Sequence, residues 1–157
     1  MISQKRLKRL KVQGYCNRTD AEISEFSFGN RFAYIICSSI LLIGLITTNT
    51  TILLALMIIA FLGIILPNHP FDYIYNFFLA STMNKPKLPP RSKQLKFACT
   101  IATIGLGITV YLIYAGLLTA GYILGVTLLF VASLVSITDI CIPSIIYNFI
   151  FSKVHIL

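Results

Sequence analysis

The sequence predicts an all-α integral membrane protein: four transmembrane helices arranged as two helical hairpins, each hairpin followed by a short interfacial helix. Three observations carry the prediction. The 157 residues are 57% hydrophobic and 11% charged, with a mean hydropathy of +0.84, whereas about a quarter of an average soluble domain is charged. Two long stretches, Phe32–Leu66 and Phe97–Thr138, contain no charge at all. All thirteen Lys and Arg lie outside them, giving a net charge of +8. In a soluble chain that excess would suggest nucleic acid; set between apolar runs it reads as a topology signal, and no nucleic-acid partner is expected. The length fits one small domain.

Taken in order, residues 1–31 form a basic N-terminal segment that opens Gln4-Lys5-Arg6-Leu7-Lys8-Arg9-Leu10-Lys11, and residues 32–157 form the membrane domain. Thr47-Thr48-Asn49-Thr50-Thr51 interrupts the first apolar run with a polar, β-branched knot suited to a tight reversal. It divides the run into spans at about 33–47 and 51–66, each short against the roughly 20 residues a crossing needs, a mismatch that local thinning can absorb. One long tilted helix is the alternative. Residues 67–96 form a polar loop with Pro67, Pro70, Pro86, Pro89 and Pro90 and five basic residues. The second apolar run suits two spans, about 97–115 and 119–138, turning between Ala115 and Gly121.

With four spans, Lys5 to Arg31, Lys85 to Lys96 and Lys153 all fall on one side, and the two hairpin tips carry no basic residue. The positive-inside rule then puts both termini and loop 67–96 in the cytoplasm. A cleaved signal peptide is not expected, because the first apolar run starts late and is followed directly by another.

The halves resemble each other. Arg31-Phe32-Ala33 opens the first span and Lys96-Phe97-Ala98 the third; Ile74-Tyr75-Asn76-Phe77 and Ile146-Tyr147-Asn148-Phe149 each follow a proline, Pro70 and Pro143. Each half is thus a hairpin plus a segment whose aromatics suit the headgroup boundary, and the halves should run parallel. Gly121 and Gly125 have the small-xxx-small spacing of close helix packing, within the monomer or between copies.

Cys37 and Cys99 lie within spans and read as small apolar packers. Cys16 and Cys141, with Asp139 two residues before Cys141, form a candidate thiol site at the cytoplasmic edge. Cys16, His69, Asp72 and Cys141 supply thiolate, imidazole and carboxylate, a candidate metal set. The plainer alternative is that Asp72 caps its helix, Asp139 pairs with Arg31 or Lys96, and His69 sits in a turn. There is no CxxC, no phosphate loop, no HExxH and no paired catalytic carboxylate, so no catalytic residue and no cofactor is assigned.

Asn68-His69-Pro70-Phe71-Asp72, Tyr75-Asn76, Lys87-Leu88-Pro89-Pro90, Lys96-Phe97-Ala98-Cys99 and Cys141-Ile142-Pro143-Ser144 with Tyr147-Asn148 resemble the bacterial membrane family known as domain of unknown function number 4395. The resemblance runs from about Gly14 to Phe151 and implies a small integral membrane protein without an established activity. Some similar members carry a closely spaced cysteine pair near the last span, where this chain has only Cys141.

The leading expectation is a small, non-enzymatic inner-membrane subunit or scaffold that presents a cytoplasmic face to a membrane or cytoplasmic protein, with the lipid bilayer as its constant partner. A thiol-based redox or sulfur-handling protein using Cys16 and Cys141 is the alternative, and a small-solute transporter the weaker one.

Overall fold

The computed structural model describes residues 2–151, and the described residues form helices joined by turns and loops, without strands. A short helix α1, Gln4–Leu10, runs into a wide turn, Lys11–Tyr15, where Gly14 takes φ +98°. Four long helices follow: α2 (Asp20–Ile46), α3 (Thr50–Ile65), α5 (Lys93–Tyr114) and α6 (Leu118–Thr138). The shorter α4 (Pro70–Thr82) follows α3, and α7 (Ile142–Phe151) follows α6. His155, in the tail, lies outside the described residues.

Helix α2 begins thirteen residues before the expected start of the first span (33 against 20). The cause is local. Thr19 Oγ1 accepts the Glu22 N–H while Glu22 Oε2 accepts the Thr19 N–H at 3.0 Å, a reciprocal cap that satisfies two otherwise orphaned donors. Asp20 and Glu22 then stand in the first turn, where negative charge complements the helix dipole. Arg31 is therefore a mid-helix residue and not a flank. Reversal at the threonine knot is as expected: Thr48 adopts φ +50°, and Asn49 Oδ1 accepts the N–H groups of Thr51 and Ile52.

Three helices, α2, α5 and α6, are long and apolar enough to cross a membrane. Helix α3 has 16 residues and meets that measure only together with α4, which is bent from it by 79° at Pro67-Asn68-His69. Pro67 and Pro70 explain the break. Neither can donate a backbone hydrogen bond, and the residue before each is pushed to extended backbone: Leu66 has ψ 154° and His69 ψ 147°.

The four long helices form a ring in which each packs on two neighbours, α2 on α3 and α6, and α5 on α3 and α6. Leu41, Leu45, Leu53, Leu56, Leu106 and Ile113 fill its middle. Outward-facing Ile46, Ile58, Phe61, Ile104, Phe130 and Ile137 remain exposed, as apolar side chains of a lipid-facing surface are. A second core lies at one end, the base, where α1, α4 and the start of α5 join α2 through Leu7, Leu10, Phe26, Tyr75, Leu88 and Leu95. The N-terminal segment is thus a folded part of the base, because Leu7 and Leu10 recur three residues apart and are buried beneath it.

Candidate functional site

Two buried carboxylates organise the base. Asp139 ends α6 in the left-handed region, φ +59°, a conformation that a short polar side chain tolerates. Its carboxylate accepts from Arg6 Nε at 2.5 Å, from Arg31 Nε at 2.7 Å and from Arg31 Nη2. Arg9 donates to the Thr138 carbonyl and Gln13 to the Asp139 carbonyl, both at 2.8 Å, so α1 and its turn satisfy the carbonyl end of α6. Arg31 was one of the two expected partners; Arg6 was not. Two guanidinium groups thus engage the Asp139 carboxylate, two residues before Cys141.

The second carboxylate, Asp72, accepts the His69 N–H at 3.0 Å and thereby caps α4, as one alternative held. It also receives a two-pronged bond from Arg91, Nε at 2.6 Å and Nη2 at 2.9 Å. Both side chains are only 4% exposed. The Arg91 N–H meets the Pro67 carbonyl at 2.8 Å, so the loop is sewn to the α3–α4 corner. Burial alone would lower the Arg91 pKa, but the adjoining Asp72 charge reverses that and holds it well above its ordinary value.

His69 Nδ1 accepts the Phe71 N–H at 3.3 Å, which leaves the proton of a neutral imidazole on Nε2. Burial and the Arg91 charge push the His69 pKa down to about 3, Asp72 opposing. The ring is therefore neutral at physiological pH. A methyl group on Gly63 would stand 2.6 Å from His69 Cδ2 and 3.1 Å from Cys99 Sγ, which shows how closely imidazole and thiol share the notch that glycine leaves.

These groups line one end of a cavity of about 120 Å³ inside the ring, whose walls come from all four long helices. Tyr34, Cys37, His69, Arg91, Cys99 and Cys141 supply its polar groups, and the remainder is aliphatic. Arg91 lies over the Tyr34 ring at 5.5 Å and points Nη1 toward Cys99 Sγ at 4.0 Å. Ser144 Oγ donates to Cys141 Sγ at 3.0 Å. Burial raises the Cys141 pKa, outweighing the Ser144 hydrogen bonds and Arg91, so this thiol is protonated at rest. The Tyr34 hydroxyl is buried and has no hydrogen-bond partner in the protein.

The expected thiol and metal sets are divided by this geometry. Cys16 is exposed on the N-terminal turn, its thiol donating to the Lys11 carbonyl at 3.1 Å, while Cys141 is buried against the cavity. Asp72 is taken by Arg91. Among the described residues, no three His, Cys, Asp or Glu side chains are gathered so as to hold a metal ion. Tyr34 and Arg91 are not among the expected site residues, and Cys37 and Cys99, expected as small apolar packers, border the cavity. The signal for the two cysteines is periodicity: Ala33, Cys37 and Leu41 recur every fourth residue, and Cys99, Ala102 and Leu106 by three and four, which puts each cysteine on a stripe facing the interior.

Two asparagines complete the base in matching ways. Asn76, in α4, accepts the Leu88 N–H at 2.7 Å and donates to its carbonyl at 3.4 Å, gripping the strand of chain that leads into α5. Asn148, in α7, donates to the Val12 carbonyl at 2.8 Å and accepts from Gln94 at 3.1 Å, gripping the chain that leads into α2.

Fold and site together define a helical protein with the spans of a membrane protein and a polar cavity end buried at its base. The family model for domain of unknown function 4395 matches residues 28–151, and the chain belongs to that family. Comparison with curated proteins and with solved structures found no match.

Proposed function

We propose that this chain is a four-span protein of the bacterial inner membrane that works by holding a small ligand in the thiol-lined cavity, as a binding subunit and not as an enzyme. The observation behind this reading is that three of the four cysteines line one cavity together with a buried imidazole and a buried guanidinium. Because burial keeps Cys141 protonated, the thiols serve as soft, weakly polar contacts and not as resting nucleophiles. The thiol-based alternative thus moves from Cys16 and Cys141 to Cys37, Cys99 and Cys141.

In this arrangement α2–α3 and α5–α6 are two parallel hairpins, α4 and α7 lie in the interface, and the base faces the cytoplasm. Supporting it are the one-sided distribution of basic residues and the exposed aromatics Phe77 and Phe149 on α4 and α7. The like roles of Asn76 and Asn148, which stand at matching places in the two Ile-Tyr-Asn-Phe motifs, support an internal repeat.

The test is native labelling of the detergent-purified protein with a small neutral thiol reagent, methyl methanethiosulfonate, and a bulky maleimide, read site by site by mass spectrometry. Cys16 should take both reagents, and Cys99 and Cys141 only the small one. Cavity thiols that take neither until the protein is unfolded, even over long exposure at about pH 9 where enough thiolate forms for the small reagent to react, would sink the binding reading. In intact spheroplasts an impermeant reagent should spare Cys16; labelling there would reverse the orientation. A scaffold role has its own support, since Asn76 holds Leu88 and so ties the basic, proline-rich loop to α4.

A further inference from the structure

We infer that the cavity binds a small, weakly hydrated monoanion of the thiocyanate kind, held by the Tyr34 hydroxyl, the His69 Nε2–H and the free edge of the Arg91 guanidinium. The inference rests on the reading of the cavity as the working site and adds the class of ligand.

The first ground is an imbalance of hydrogen-bonding groups. Tyr34 Oη is buried without a partner in the protein, and leaving a buried hydroxyl unsatisfied costs on the order of 1–3 kcal/mol. His69 spends Nδ1 on the Phe71 N–H and keeps its proton on Nε2. Arg91 commits Nε and Nη2 to Asp72, while Nη1 reaches only a thiol at 4.0 Å. The carboxylate that could have answered these donors, Asp72, is occupied by Arg91 and the α4 cap. The cavity end is thus rich in donors and poor in acceptors, which is the chemistry of an anion site.

The second ground selects the anion. The charges of Arg91 and Asp72 cancel, so a buried dianion such as sulfate or hydrogen phosphate would bring two charges against no net opposing one. Desolvating it would cost far more than three donors return. A monoanion with a diffuse charge loses less on leaving water. The walls are aliphatic apart from the three thiols, polarizable groups that suit a soft ligand and do little for a hard one. A volume of about 120 Å³ is close to that of the roughly 150 Å³ cavity known to take benzene, which leaves room for a few heavy atoms.

The experiment uses the full chain in detergent, equilibrium dialysis with radiolabelled sodium thiocyanate at constant ionic strength, and sodium sulfate and sodium chloride as competitors. One saturable site per chain is expected, displaced by unlabelled thiocyanate and not by sulfate or chloride. Tyr34→Phe removes a hydroxyl that the unliganded protein does not use, so the fold should be unchanged while the dissociation constant rises about tenfold or more. Non-saturable binding, or a Tyr34→Phe protein that binds as the parent does, overturns the proposal. A parallel run of methyl methanethiosulfonate labelling keeps the two ideas apart. Thiols that label but are not protected by thiocyanate refute the anion and leave the accessible cavity standing, whereas thiols that never label refute the cavity as a site.

Discussion

Removing the Arg91 guanidinium tests the account of the base most directly. Arg91 and Asp72 are each 4% exposed at the side chain and joined by two short bonds. Arg91→Met keeps most of the stem volume and leaves the Asp72 carboxylate buried without its cation. Breaking a buried pair from one side costs about 3–5 kcal/mol. A Coulomb estimate for unit charges about 4 Å apart at an effective dielectric of 20 gives about 4 kcal/mol. Asp72→Asn should cost a similar amount by stranding the guanidinium, while its amide oxygen still accepts the His69 N–H. The double variant buries neither charge, so its loss should fall well below the sum of the two, by about 2 kcal/mol or more. The assay is reversible unfolding in mixed micelles with increasing dodecyl sulfate, followed by far-UV circular dichroism for all four proteins. Losses that simply add, or an Arg91→Met loss under about 1 kcal/mol, would falsify the claim that this pair holds loop and corner together.

Protonation of His69 sets a direction for pH dependence. Its pKa in the fold is about 3 against 6.5 for a free imidazole, so between those values the unfolded chain binds the extra proton. Stability is therefore complete above about pH 6.5 and falls toward pH 3, by up to about 1.4 kcal/mol per unit; His69→Gln should flatten an acid titration of the unfolding midpoint. Gly29→Ala sets a methyl 2.5 Å from the Tyr75 ring, a fully buried side chain, and 3.0 Å from Leu88. It should cost about 1–3 kcal/mol by overpacking, and an unchanged unfolding midpoint would contradict the packing described. Cys16→Ser should leave stability unaltered, since the thiol is exposed and its one hydrogen bond is to a surface carbonyl; a measurable loss would show that the N-terminal turn depends on it.

Local signals in the chain were legible. The knot at Thr47–Thr51, the turn near Gly116 and the prolines at 67 and 70 each encode a break through backbone chemistry within a few residues. The early start of α2 was also written locally, in Thr19 and Glu22, but a run of polar residues hid the capping pattern behind low hydropathy. Partner choice was not legible. Asp139 and Arg6 stand 133 residues apart, and nothing in either neighbourhood distinguishes Arg6 from Lys5 or Lys8. The candidate site was half visible: His69, Asp72 and Cys141 drew attention as polar groups near the ends of spans. Cys37 and Cys99 did not, because a small side chain on an interior stripe has the same pattern whether it fills space or borders a void.

The grip of Asn148 on Val12, and of Asp139 on Arg6 and Arg31, has a consequence for how the protein is made. A ribosome emits its chain from the N-terminus at about 5–20 residues per second, so Arg6 waits on the order of ten seconds before its carboxylate exists. Through that interval Arg6 and Arg9 have no α6 to bond, although the apolar partners of Leu7 and Leu10 are complete once Leu95 is made. The base closes when α6 and α7 arrive. A chain cut short before Asp139 would therefore leave Arg6, Arg9 and Arg31 without the carboxylate and carbonyl groups that α6 supplies, and the cavity end without its last wall.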